Sequence, residues 1–277
     1  MTTFSDPSKL TGVKATQSSR RSVTEFLKPL NELAESSAGL LARHFGEISI
    51  GADSWQMPRF LHIGPQGGDD PIRLGIFASI NGDEPQGAYA LAEFIKTLEI
   101  TPELARGYCL FIYPICNPSG FEDDARLSRS GHDLNQQFWN DPSAEEVILL
   151  QRELYAHAFH GLVTLGSDPN SAGMYGFVRG GTTLSRNLLE PALAAAEAVL
   201  PRNLESQIGN FRATHGIIRN RETGILSSPP KLRPRPFEII LETPRSAPRY
   251  QQETALLVSL ITILSEYRRI VAYAANI

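Results

Sequence analysis

Residues 72–98, IRLGIFASINGDEPQGAYALAEFIKTL, contain one complete strand, turn and helix. From Ile72 to Ile80 the residues are dense in Ile, Leu and Phe, the pattern of a buried central strand. Asn81-Gly82 is a turn dipeptide that ends the strand, and Pro85 suits the first turn of a helix. Ala88, Leu91, Ala92, Ile95 and Leu98 then recur at helical spacing and give that helix one apolar stripe.

The same unit repeats after it. Residues 22–45 read as an opening helix, with Pro29 at a first-turn boundary or kink, and residues 48–50 and 59–63 as short strands. Downstream, residues 108–115 are a second buried strand. Residues 145–159 are a helix opened by Ser143 with Glu146 three positions on, and residues 162–165 return as a strand. Residues 174–178 and 237–241 read as strands, and 184–200 and 250–274 as helices. Strands that alternate with helices predict an α/β fold: a mixed, mainly parallel sheet covered on both faces, with ligand chemistry at the carboxyl ends of its strands. Residues 1–277 read as a single domain in which residues 1–21 are flexible or peripheral.

Composition narrows the function classes. With 42% hydrophobic and 20% charged residues, the 277-residue chain can bury one substantial core. A net charge of -4 supplies no global basic field, which argues against nucleic acid as a partner. The longest apolar run, residues 255–264, is about half of what a bilayer requires, so no membrane span is expected. The polar first twenty residues lack the apolar stretch of a secretory signal, and the two cysteines, Cys109 and Cys116, suit a reducing compartment. Together these predict a cytoplasmic protein.

Residues 117–142 form a loop about twice the usual upper length for a connection, rich in Asp, Arg, Ser and Asn, which favours a functional role. It reads Asn117-Pro118-Ser119-Gly120-Phe121, then Arg126 and Arg129, then Asp133-Leu134-Asn135. Three further segments stand at strand ends: Ile80-Asn81-Gly82-Asp83-Glu84-Pro85, Leu165-Gly166-Ser167-Asp168 and Leu241-Glu242-Thr243-Pro244. In this order the four segments resemble the zinc carboxypeptidases of the carboxypeptidase A type, close to the succinylglutamate desuccinylase and aspartoacylase branch. The resemblance spans roughly residues 45–275 and implies a three-layer α/β/α fold.

In that family two histidines and a glutamate hold zinc, and here the matching positions carry Asn81, Gly166 and Glu84. Only Glu84 remains a ligand, whereas a catalytic zinc takes three protein ligands and a water. Glu242 matches the general base and Arg126 the residue that stabilises the developing oxyanion. Zinc would lower the pKa of its water from roughly 15.7 to about 7, so without it Glu242 faces nearly unperturbed water. Gln136 stands beside Asn135 where the family places an arginine for the substrate's terminal carboxylate, and it cannot form that charged fork. Arg126 and Arg129 remain to attract an anionic ligand.

The expectation is therefore a degenerate site with no tightly bound cofactor and a cleft for a small peptide or acylated amino acid. One alternative is an active hydrolase that recruits zinc or another metal through Asp83, Glu84 and Asp168; the other is an interaction protein with no ligand in its cleft. Asp83 could equally cap the following helix. His157 and His160 read as one solvated helix face, His132 as an exposed loop residue, and His62 and His215 as strand residues.

Overall fold

The computed structural model describes residues 20–67, 70–179, 182–219 and 224–274. In chain order these form α1 (Val23–Ser36), β1 (Leu40–Ile50), β2 (Asp53–Ile63), β3 (Ile72–Ala78) and α2 (Gln86–Ile100). There follow β4 (Tyr108–Tyr113), α3 (Pro118–Asp123), α4 (Glu145–His157), β5 (Gly161–Asp168), β6 (Tyr175–Arg179) and α5 (Thr182–Ala196). Last come β7 (Gln207–Ile208), β8 (Phe211–Thr214), β9 (Ile217–Arg219), β10 (Phe237–Pro244) and α6 (Arg249–Ala274).

All ten strands join one sheet in the order β1-β2-β4-β3-β5-β10-β6-β9-β8-β7. Its central block, β4-β3-β5-β10, is parallel, and this is where the expectation of a mainly parallel sheet holds. Outside it, antiparallel pairing dominates: β1, β2 and β4 on one side, β10 with β6 and the β7-β8-β9 ribbon on the other, with β6 and β9 alone parallel. Helices α1, α2, α5 and α6 cover one face through Leu30, Leu91, Ile95, Leu189, Leu193, Leu256 and Leu260. On the other face α4 and the long loop supply Val147, Leu150, Leu154, Leu134 and Phe138. This is the three-layer arrangement that the alternation of elements predicts. Because the four central strands run the same way, their carboxyl ends share one edge, and all four sequence segments emerge there.

Several local expectations change. The opening helix stops at Ser36, because the Ser37 hydroxyl accepts from the Gly39 and Leu40 amides and turns the chain into β1. Leu40 and Leu41 are therefore strand residues, and Pro29 lies inside α1 rather than in its first turn. The short strands expected at 48–50 and 59–63 are parts of one long hairpin with a register shift between His44 and Glu47. Ser143 does not cap α4: the Gln137 side-chain oxygen accepts from the Ser143 and Ala144 amides, and the Ser143 hydroxyl pairs with His132. His215 sits in the turn between β8 and β9 at φ 50°. His157 ends α4 against Arg59 and the Phe111 ring, while His160 lies beyond the helix and accepts from the Arg73 amide, so they share no face.

The expectation for residues 1–19 lies outside the described residues. Arg21, at the end of the stretch read as flexible or peripheral, is docked, donating to the carbonyls of Phe121 at 2.7 Å and Gly82 at 2.9 Å. Among the described residues no helix is long and apolar enough to cross a membrane. Both cysteines are free.

Candidate functional site

Two loops must meet closely to build the site. A Cβ added to Gly82 would lie 2.0 Å from the Gly120 carbonyl carbon and 2.5 Å from the Ala125 oxygen, so only glycine lets the Asn81 turn pack on the Asn117 loop. Asn117, fully buried, fastens the two. Its Oδ1 accepts from the Gly120 amide at 3.0 Å, and its Nδ2 donates to the carbonyls of Ile80 at 3.3 Å and Arg126 at 3.4 Å.

The result is a cavity of about 440 Å³ at the carboxyl edge, lined by Asn81, Glu84, Arg126, Asn135, Gln136, Gly166, Asp168 and Glu242 among others. That volume is within the ordinary range for a small-molecule site. Its deeper wall is apolar, from Phe177, Ile225, Leu226 and Ile240.

Glu84 is saturated. Its Oε1 accepts from Asn81 Nδ2 at 2.7 Å and from the Arg245 guanidinium at 3.3 Å, while its Oε2 accepts from the Ser167 amide at 3.1 Å. Asn81 in turn accepts from Asn135 Nδ2 at 3.2 Å. Burial raises the Glu84 carboxyl above its ordinary value, and the bonds from Asn81 and Ser167 and the charge of Arg245 oppose that rise.

Glu242 contrasts with it. Among the described residues its carboxyl has no hydrogen bond or ion pair, and burial, followed by the charges of Glu84 and Asp168, pushes it well above the ordinary range. It is the register partner of Gly166, and a Cβ at Gly166 would lie 2.8 Å from both of its carboxylate oxygens. The Glu242 carboxyl therefore hangs over the space that a side chain at position 166 would need. Gly166 does not adopt a left-handed backbone conformation, so it is space rather than strain that a larger residue would meet there.

The remaining predicted residues divide. Arg126 stands half-exposed at the rim, its Nε donating to Asp133 at 3.1 Å, and Gln136 donates to the same oxygen at 3.2 Å. Asp168 accepts from the Tyr175 hydroxyl at 2.9 Å and from the Asn170 amide at 2.8 Å. Arg129 does not belong to the site: it is clamped by Asp53 at 2.6 Å and Asp123 at 2.7 Å and lies over the Trp55 ring, because the loop turns it toward the β1–β2 hairpin. Asp83 is turned out of the pocket toward Arg245 at 2.9 Å and caps no helix; Pro85 holds the N-cap of α2 without a side-chain bond.

Arg245 and Tyr175 were not read from the sequence. Arg245 follows Glu242-Thr243-Pro244 directly, and a cation just past a strand-end acid was the available signal. Tyr175 comes from β6, whose antiparallel pairing with β10 no sequence pattern specified.

The residues present do not fit a zinc ion. The only ligand retained from the expected set is already bonded to an amide, a backbone N–H and a guanidinium, and among the described residues no group of three His, Cys, Asp or Glu side chains converges. Nor do Asp83, Glu84 and Asp168 converge as substitutes, since Arg245 already engages both Asp83 and Glu84, and Asp168 is bonded to Tyr175.

The Glu242 side chain is partly buried at the cavity wall, and a carboxylate shielded there without a protein partner costs stability. Glu242→Gln, which keeps the shape and removes the charge, is expected to raise the melting temperature at pH 7.5 by a few degrees, on the order of 1 kcal/mol. The sign follows from the raised carboxyls: the folded state holds protons that the unfolded chain releases near 4.5, so stability declines as pH rises above that value. Melting curves from pH 5 to 8 should show a shallower decline for Glu242→Gln than for the parent. An equal or steeper decline would refute the assignment.

No family sequence model matches the chain, and no curated protein sequence does. Solved structures do. A protein assigned to the metallopeptidases from Shewanella denitrificans OS217 superposes with a TM-score of 0.73 at 18% identity, covering 91% of this chain and 98% of that one. A metallo-carboxypeptidase from Burkholderia cenocepacia gives 0.66 at 15% identity, over 89% and 68%. A succinylglutamate desuccinylase from Silicibacter sp. TM1040 gives 0.57 at 16% identity, over 83% and 67%. The chain thus has the zinc-carboxypeptidase-like fold that the four segments implied.

Proposed function

We propose that this chain is a ligand-binding protein on a carboxypeptidase-like fold, without zinc chemistry, whose cleft takes a short peptide or an acylated amino acid. The observation that carries the reading is the engagement of Glu84 by Asn81, Ser167 and Arg245 at the position where a metal ligand would have to be free. What is left around the cavity is a recognition surface. Arg126 offers two guanidinium nitrogens not used by Asp133, and with the amides of Asn135 and Gln136 it suits a ligand carboxylate. Glu242 is an acceptor without a donor and suits a ligand N–H, and the apolar wall of Phe177, Ile225, Leu226 and Ile240 suits a side chain or acyl group. Two free cysteines are compatible with a cytoplasmic setting, which belongs to the same reading.

The test pairs metal analysis after zinc incubation and desalting with melting curves against a panel of short peptides and N-acyl amino acids. The expected result is less than stoichiometric zinc and a rise of roughly 5–10 °C at a hundredfold excess over Kd for a matching ligand. Arg126→Ala should abolish that rise. Stoichiometric zinc with turnover would establish the hydrolase alternative instead, and an unmoved melting temperature across the panel would favour an interaction protein.

A further inference from the structure

On the face opposite the cleft, α5, the β8–β9 hairpin and α6 enclose two adjoining grooves of about 600 and 700 Å³ that share Arg186, Glu190 and Arg219. β6 separates them from the cleft: Phe177 faces the cavity described above, and the next residue, Val178, faces the groove.

The charge on this surface is unbalanced, although the chain as a whole is acidic. Glu190 shares the Arg202 guanidinium with Glu197, at 2.7 and 2.8 Å, and Glu266 is paired with Arg269, which leaves at most one of these acids to set against the arginines that follow. Arg186, Arg212 and Arg219 are exposed, and among the described residues none of their guanidinium groups has an ionic partner or hydrogen bond. The hairpin sharpens this imbalance. β8 and β9 pair Ala213 with Ile218 and Thr214 with Ile217, and continuing that register puts Arg212 directly opposite Arg219 on the groove side. Two like charges in directly opposed positions destabilise a hairpin. Here the opposite face of the same hairpin is packed normally, with Ala213 and Ile218 against Tyr175 and Ile208, so the violation is confined to the groove. A local rule broken without a compensating protein group marks a position held for a ligand.

We infer that this groove is a binding site for a ligand bearing two or more adjacent phosphoryl groups. Guanidinium forks match phosphate oxygens two at a time, and one carboxylate or other monovalent anion would leave two of the three arginines uncompensated. The chemistry is the same whether the phosphates belong to a soluble ester or to a lipid headgroup.

The probes are pyrophosphate, titrated calorimetrically at constant ionic strength, and vesicles containing a phosphatidylinositol bisphosphate, with phosphatidylserine vesicles of equal charge as the control. Saturable binding of pyrophosphate, or selective binding of the phosphoinositide vesicles, is expected for the parent protein, the first meaning a soluble ligand suffices and the second that a membrane presents it. Arg212→Gln and Arg219→Gln should each weaken binding about tenfold or more, while Arg126→Gln in the cleft leaves it unchanged. Without ligand, Arg212→Gln should melt no lower than the parent, because it relieves the like-charge pair; pyrophosphate should raise the melting temperature of the parent and not of the variant. Absence of saturable binding in both arms would overturn the proposal. So would binding that survives both groove substitutions, or a loss of stability in ligand-free Arg212→Gln.

Discussion

Histidine at positions 81 and 166 together is expected to convert the cleft into a zinc site, with affinity rising at least about a thousandfold over the parent. The strand ends that would present the two imidazoles and Glu84 already share the carboxyl edge of β3 and β5. Two obstacles are specific to this chain. A Cβ at 166 lies 2.8 Å from both Glu242 oxygens, so the Glu242 carboxyl must swing aside; it can, being the far end of a flexible side chain that no hydrogen bond retains. Arg245 also holds Glu84 Oε1 at 3.3 Å and competes with any cation for that oxygen. Adding Arg245→Gln to the double variant should therefore tighten zinc by about tenfold more, the usual scale for groups that orient or compete for a ligand. Equilibrium dialysis against a zinc indicator measures both steps. If both variants retain the parent's circular dichroism and neither takes up zinc, positions 81 and 166 are not the vacated ligand positions, and the assignment of the site fails.

Why these residues were legible, and others not, follows from the kind of information each uses. The strand ending at Asn81 and the helix beginning after Pro85 are short-range events, fixed by a continuous apolar run, a turn dipeptide and a helical stripe, and the structure has them within two residues. Glu84, Gly166 and Glu242 could be placed because Glu84 follows a buried parallel strand and the other two lie near the carboxyl ends of two more, and the fold gathers such ends along one edge. Arg129 was misplaced because its direction depends on a tertiary contact, the β1–β2 hairpin carrying Asp53 and Trp55, and that hairpin was itself read as a helix tail and two fragments. His44, Pro58 and the register shift blur its alternation, so its pairing and not its sequence periodicity makes it a sheet. The β7–β9 ribbon was missed for the same reason: its strands are too short to show a period, and their order is set by pairing on β6.

Arg245 is where the electrostatics of the cleft and the stability of the fold meet. Its guanidinium reaches Asp83 at 2.9 Å and Glu84 at 3.3 Å, and all three groups are more than two-thirds shielded from solvent. Arg245→Met removes the charge and keeps most of the bulk, leaving Asp83 and Glu84 side by side without their cation. Breaking a fully buried pair costs about 3–5 kcal/mol, and the partial exposure here brings the expected loss to about 2–3 kcal/mol at pH 7.5. The pH dependence identifies the cause. Without Arg245 the Glu84 carboxyl, already raised by burial, loses a charge that holds it down, so the folded variant binds protons more avidly than its unfolded chain above 4.5. The penalty should therefore shrink steadily as pH falls from 7.5 toward 5, whereas a defect of packing alone would stay constant. Denaturant unfolding of the parent and Arg245→Met at four pH values separates the two. A penalty independent of pH would mean that Arg245 fills space rather than balancing charge.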